Sequence, residues 1–386
     1  MTADTENRYA HIDAMRALAV MLVVVAHAGL GAMVPGGSGV TIFFSISGFI
    51  ITYLLLREND ATGGFGIRAF YVRRLLKIGP PLLVCVLVPT IVLAFFKAIN
   101  WAPFAGIVFF YFNWFKAAGV DAPLPGSGVV WSLSIEEQFY LGFALLWLFV
   151  VRSTARTRWL ALLAGIAVVS SPTIRVVLAS SSAAYTDRIY FGSDTRLDGI
   201  AWGILAAVAF HHSLSWPGRI RSLVQLCARD GALIAAILLY LASLLIRDEW
   251  FRDTFRFTFQ AVAACVVILY GFGSNRSRVR IVFNAIARLR IIQFIGLASY
   301  SIYLVHLTAM YYSSQLVTEL PAAASLGLLI VVGTGPGMLV YVAVEKPVQR
   351  LRLKRKSSAK PGNSESAPQK VKAMATTTAR TDGSLR

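Results

Sequence analysis

The sequence predicts an all-α integral membrane protein of about ten transmembrane helices with both termini in the cytoplasm, and three observations carry that prediction. Apolar and aromatic residues make up 56% of the 386 residues against 15% charged, and the mean hydropathy of +0.64 is more than a soluble core of this size buries. Apolar stretches of about 20 residues, the length a helix needs to cross about 30 Å of hydrocarbon, recur along nearly the whole chain. The basic residues between them fall on alternate connections, as the positive-inside bias requires.

Ten spans are read at 12–32, 39–56, 80–97, 136–151, 158–178, 196–211, 230–247, 255–273, 293–316 and 323–344. Arg16 lies inside the first, and no small-residue cleavage site leads from it into a hydrophilic domain, so it is expected to be a retained helix and not a signal peptide. A further apolar stretch at 103–115 is left uncrossed. Counting it would put Arg152, Arg156 and Arg158 outside, whereas omitting it sends the basic segments 57–79, 152–158, 212–229 and 274–290 and the C-terminal tail to one face. Segment 98–134 is then expected on the outer face, where its Pro and Gly break any long helix.

Residues 1–350 are expected to form one membrane domain and 351–386 a basic, disordered cytoplasmic tail, because the tail has too little apolar surface to offset its ordering entropy. From 346 onward eleven Lys or Arg stand against Glu365 and Asp382, which is half of the net charge of +18. The charge therefore reports topology, and nucleic acid is not an expected partner; the lipid bilayer is. Cys85, Cys227 and Cys265 are not spaced as a redox or ligand pair, so no disulfide and no metal site is expected.

Ionisable residues within spans are costly, and each is a functional candidate. Arg16 and His27 are eleven residues apart in the first span, which returns a helix to within about 20° of the same face, three turns and about 16 Å on. Histidine, with an unperturbed pKa of about 6.5, can take the proton of an acceptor hydroxyl near neutral pH. The competing account on these residues alone is that Arg16 snorkels to headgroups and His27 hydrogen-bonds a neighbouring helix. Ser45, Ser47 and Gly48 give the second span a small polar face suited to close packing.

Seven blocks then occur in order: HIDAMRALAVMLVVVAH, GVTIFFSISGFIITYLLLRE, FYVRRLLKIGPP, WSLSIEEQFYL, RLDGIAWG, LASYSIYLVH and VEKPVQRL. Over roughly residues 8–350 the chain resembles the acyltransferase type 3 membrane proteins, which acylate polysaccharides, lipid-linked sugars, Nod factors and macrolide antibiotics. The first block holds the family's arginine, ten residues, then histidine. The resemblance implies a helical membrane domain of about ten spans and an acyl-coenzyme A donor on the cytoplasmic side, used as co-substrate with no permanently bound cofactor. Leu82 departs from the aromatic residue common in relatives. Many relatives carry a further extracytoplasmic domain, so a second transfer step is expected to need a separate protein.

The resulting expectations are specific. The catalytic candidates are His27, as base or transient acyl carrier, Arg16, positioning the donor or developing negative charge, and Glu136, matching the family's functional acid and orienting either His27 or the acceptor, or else capping a span that begins there. Arg68, Arg73, Arg74 and Lys77 are candidates for the coenzyme A phosphates, which arginine can pair bidentately, against a plain anchoring role. Trp131, Ser132, Arg196, Asp198, Tyr300 and His306 are the substrate-side candidates, with Arg196 and Asp198 expected to pair with each other or with Glu136. The function these imply is a multi-pass O-acyltransferase of the bacterial cell membrane. It would move an acyl group, acetyl first, from acyl-coenzyme A to a carbohydrate-containing acceptor such as an exopolysaccharide or lipopolysaccharide sugar. A macrolide O-acyltransferase is the alternative within the class. A polysaccharide or lipid-linked sugar transporter is the rival outside it, against which stands the lack of a visible inverted repeat.

Overall fold

The computed structural model describes residues 9–351 apart from 35, 65, 152, 154, 182–184 and 216, so the expected tail beyond 351 lies outside the described residues. Among the described residues there are helices and no strand. A backbone in hydrocarbon can satisfy its N–H and C=O groups only within itself, which the uninterrupted apolar stretches do by coiling.

Eight helices are long and apolar enough to cross a membrane: α1 (Ala10–Leu30), α2 (Gly36–Thr62), α3 (Ile67–Ala94), α4 (Ser127–Val150), α5 (Arg156–Ala179), α6 (Thr186–Leu214), then Arg290–Leu316 and Ala322–Leu351. Between α6 and these last two lie the pair Arg219–Cys227 and Asp230–Leu245, bent by 70°, and the shorter apolar helix Arg256–Gly271. We number Asp230–Leu245 as α7, Arg256–Gly271 as α8, Arg290–Leu316 as α9 and Ala322–Leu351 as α10. The ten expected spans thus correspond to eight full-length helices, one bent pair and one short helix. The chain is a multi-pass, all-α membrane protein.

The stretch 103–115 does not cross. It forms two short helices, Trp101–Val108 and Phe112–Ala117, separated by a turn in which Phe110 takes a φ of 58°.

Two boundaries differ from expectation in a way that matters for the site. The presumed basic loop 57–79 is largely helical, because α2 runs on to Thr62 and α3 begins at Ile67. Pro80 and Pro81 lie inside α3, and the π-helical turn Leu83–Leu87 follows directly, as expected where the i→i−4 ladder is interrupted. Likewise α4 opens with a 3₁₀ turn at Ser127–Val130, followed by Trp131. Glu136 and Glu137 therefore sit more than two turns inside a span, which removes the capping role considered for Glu136.

Close helix contacts occur where glycine removes a side chain. A Cβ on Gly48 would collide with the Ile200 carbonyl, one on Gly203 with the Ser45 carbonyl, and one on Gly296 with the Asp13 backbone. α2 thus seats on α6 and α1 on α9, as small residues allow in membranes. Ser45 supports the first contact by donating to the carbonyls of Thr41 (3.1 Å) and Gly199 (3.2 Å). The contacts Arg57–Tyr9, Arg156–Asp60, His211–Asp60 and Gln293 to the Ala10 carbonyl gather at one end of the bundle, called the basic end below.

Candidate functional site

Arg16 and His27 both face α9. Arg16 Nε donates to Ser299 Oγ at 3.3 Å, and His27 Nδ1 lies 3.0 Å from His306 Nε2. Ser299 and His306 are seven residues apart, so they too return to within about 20° of one face of their helix. Two polar stripes therefore meet along an otherwise apolar contact.

His27 sits in the π-helical turn Ala26–Leu30, which contains Gly29 at a φ of 122°, a conformation open to glycine. The turn leaves the His27 side chain exposed, whereas His306 is fully buried. The buried ring fixes the proton pattern of the exposed one. His306 Nδ1 lies 2.8 Å from the Tyr303 carbonyl, which only accepts, so Nδ1 carries the hydrogen. In neutral His306 the Nε2 is then the acceptor, His27 Nδ1 is the donor, and His27 Nε2 is left with a bare lone pair.

On the other side of Tyr303 lies a cavity of about 820 Å³, enclosed by α1, α2, α3, α4 and α9. Its mouth, at the basic end, is marked by Arg57, Glu58 and Arg73, and it extends inward past Arg16, Lys77 and Glu136 to Ser132 and Tyr303. Tyr303 closes the inner end. Its hydroxyl donates to the Val129 carbonyl (2.9 Å) and shares a 2.8 Å hydrogen bond with Ser132, while its ring lies 5.8 Å from that of His306. His27 is not among the residues lining the cavity.

The structure separates the four basic candidates of α3. Arg68 is exposed and lies outside the cavity wall. Arg73 stands at the mouth and pairs with Glu58 at 3.1 Å, both partly exposed. Arg74 also lines the cavity but is engaged, 3.1 Å from Glu137, with its guanidinium 3.2 Å from the Tyr140 ring centroid. Lys77 lines the cavity and interacts electrostatically with Arg16 and with the buried carboxylate of Glu345.

Glu136 lines the cavity and accepts hydrogen bonds from Ser47 Oγ (3.0 Å) and the Tyr140 hydroxyl (2.9 Å). It does not contact His27; the residue that orients His27 is His306. Tyr300 lines the cavity and donates to the Ile78 carbonyl at 3.0 Å. Trp131 is buried against Phe44, Tyr190 and Phe191 and serves packing.

The expected pairing of Arg196 with Asp198 or Glu136 is not found. Both Asp198 oxygens are taken by Arg175 of α5, at 2.9 and 2.8 Å, and Thr258 of α8 donates to the same carboxylate at 2.6 Å. Arg175 and Asp198 are both almost completely buried. Three and four positions apart are neighbours on a helix while two are not, so Arg196 and Asp198 cannot meet side by side. Arg196 is buried among aromatic rings, its guanidinium 3.7 Å from the Phe257 centroid, and donates to Thr41 Oγ1 at 3.2 Å.

Ser47, read as a packing residue, instead bonds Glu136, and four residues escaped sequence reading: Tyr140, Arg175, Ser299 and Glu345. Glu345 ends the π-helical turn Tyr341–Glu345 and accepts from Ser301 Oγ at 2.8 Å and Gln349 at 3.1 Å. An acid at the end of an apolar stretch reads as a headgroup contact, and only the arrangement of α9 and α10 shows that it is buried.

The sequence model of the acyltransferase domain family matches residues 9–343. A protein of Staphylococcus aureus (strain COL) that carries an O-acetyltransferase name is 27% identical over 322 residues, 78% of this chain and 50% of that protein. The peptidoglycan O-acetyltransferase OatA of Listeria monocytogenes is 27% identical over 319 residues, 76% of this chain and 48% of OatA. A Bacillus subtilis (strain 168) protein, YrhL, likewise named for peptidoglycan O-acetylation, is 26% identical over 360 residues, 88% of this chain and 54% of YrhL. The chain thus spans about half the length of the curated relatives it matches. No solved structure matches it.

Proposed function

The chain belongs to the acyltransferase domain family, and from that premise we propose that it is a membrane O-acyltransferase that moves an acetyl group from acetyl-coenzyme A to a hydroxyl of a carbohydrate acceptor. The observation that carries this reading is the bare Nε2 of an exposed His27, held in one tautomer by buried His306, beside a cation-lined cavity that opens at the opposite end of the bundle. The choice of acetyl and of a carbohydrate rests on the names of the relatives OatA and YrhL.

In this reading the donor enters from the basic end, with its phosphates at Arg73 and Lys77 and its thioester directed inward past Arg16. Glu136, bonded to Ser47 and Tyr140, fixes the polar wall along which the pantetheine amides run. The acceptor hydroxyl gives its proton to His27 Nε2 as its oxygen attacks the thioester carbonyl carbon. The carbon–sulfur bond breaks, the coenzyme A sulfur takes the proton that His27 accepted, and an ester remains on the acceptor. Protonated His27 keeps donating through Nδ1 to His306, so the developing charge meets an acceptor already in position. For the two groups to meet, Tyr303 must yield its bond to Ser132.

Arg74 is assigned a structural role, because its guanidinium is already engaged by Glu137 and Tyr140. Lys77→Gln removes a charge-assisted contact to the donor, and such contacts are worth about 1.5–3 kcal/mol. The KM for acetyl-coenzyme A is expected to rise about tenfold to a hundredfold with kcat little changed. An unchanged KM places the donor elsewhere.

The basic end is assigned to the cytoplasm of a bacterial cell membrane on the charge of its connections. In a variant whose own cysteines are replaced, a reporter cysteine at Ser181 should react with an impermeant maleimide added to sealed cells. One at Ser222 should react only after permeabilisation. Both positions are exposed, so the reverse pattern inverts the topology.

A further inference from the structure

Two short helices at the basic end take no part in the site. Arg219–Cys227 precedes α7 at a 70° bend, and Arg278–Ala287 lies between α8 and α9. At 1.5 Å per residue each is about 15 Å long, half of what a span requires. Each presents a large apolar ridge to its surroundings: Ile220, Leu223 and Leu226 on the first, Ile281, Val282 and Ile286 on the second, all between 42% and 62% exposed. Beside the ridges stand exposed arginines: Arg219 and Arg221 on the first helix with Arg229 just beyond its end, and Arg278 on the second, flanked by Arg276 and Arg288.

The two helices are locked into one unit. Arg280 is buried at 3% exposure, and its guanidinium donates to the carbonyls of Ala228 (2.8 Å), Tyr270 (2.5 Å) and Gly273 (3.0 Å), joining the end of the first helix to the start of the second. Asp230, the acid at this junction, already accepts from the Tyr270 hydroxyl and Ser277 Oγ, each at 2.8 Å. The helices that carry the exposed arginines are therefore held together, and Asp230 is bonded within the junction.

We propose that this pair of helices is a docking platform for anionic phospholipid headgroups. A topogenic loop needs only its charges. Here the charges flank exposed apolar ridges on helices too short to cross, and that combination suits the boundary between hydrocarbon and an anionic headgroup layer. The 70° bend sets the first helix across the direction of α7. A soluble acidic partner would neutralise the arginines but leave the ridges uncovered. The proposal does not depend on the acyltransferase reading.

The test uses the full chain reconstituted in nanodiscs of phosphatidylcholine doped with phosphatidylglycerol. After mild detergent extraction, the retained lipids are identified by native mass spectrometry. The wild type is expected to retain phosphatidylglycerol severalfold above its share of the bilayer, and the enrichment should decline as salt is raised. The variant R219Q/R221Q/R278Q/R288Q should retain lipid at the bulk ratio, with an unchanged unfolding midpoint in detergent. If that variant fails to fold, R221Q/R278Q and the salt series on the wild type decide the matter. Retention that matches between variant and wild type, is insensitive to salt, or already stands at the bulk ratio in a wild type that co-purifies with an acidic protein overturns the proposal.

Discussion

Exchange of His27 for glutamine is expected to lower turnover by about a hundredfold to ten-thousandfold, the span that general-base contributions cover, while expression, detergent stability and donor binding persist. Glutamine keeps a polar side chain near His306 but has no lone pair able to take up a proton near neutral pH. Because His27 is exposed and bonds His306 at its surface, its loss leaves no large void in the bundle. His306→Gln is the companion. His306 touches no substrate in this account and acts through His27, so its replacement should lower kcat and leave the KM for acetyl-coenzyme A unchanged. A drop in thermal stability with normal turnover per folded molecule would reduce His306 to a packing residue.

The second large effect concerns folding. Arg175→Gln or Asp198→Asn alone is expected to destabilise the bundle by about 3–5 kcal/mol, because each leaves a buried charge without its partner. Unfolding in mixed micelles would read this directly. The pair Arg175→Met with Asp198→Leu removes both charges together and should recover most of the loss, since apolar groups of similar volume replace a buried ion pair at little cost. Single variants that unfold like the wild type would mean that water reaches the network and that it contributes nothing.

What could be read from the sequence, and what could not, divides along a physical line. Hydropathy and loop charge locate helices, because those signals are local, and the eleven-residue spacing of Arg16 and His27 gives their shared face from helical geometry alone. The partner of that face is a non-local fact. Nothing in the first span says that it meets Ser299 and His306, so Glu136 stood as the orienting acid although it lies across the bundle in the cavity wall. Span boundaries failed where polar residues line an interior cavity. Arg73, Arg74 and Lys77 read as loop because they are charged, and Pro80 read as a helix start because proline breaks helices, yet the chain is helical from Ile67 onward. Arg196 and Asp198 were paired by adjacency in sequence, whereas adjacency on one helix turns two side chains apart and sends Asp198 to Arg175.

The central claim is an acetyl transfer that depends on His27. Its most direct test follows acyl-labelled acetyl-coenzyme A incubated with the full chain in vesicles and a peptidoglycan-type oligosaccharide, measuring free coenzyme A thiol together with alkali-labile acetyl ester on the sugar. The account predicts equal amounts of thiol and ester from the wild type, and neither from His27→Gln protein that still binds acetyl-coenzyme A. Ester formation by His27→Gln at more than about a tenth of the wild-type rate, above what loss of a general base permits, would contradict it.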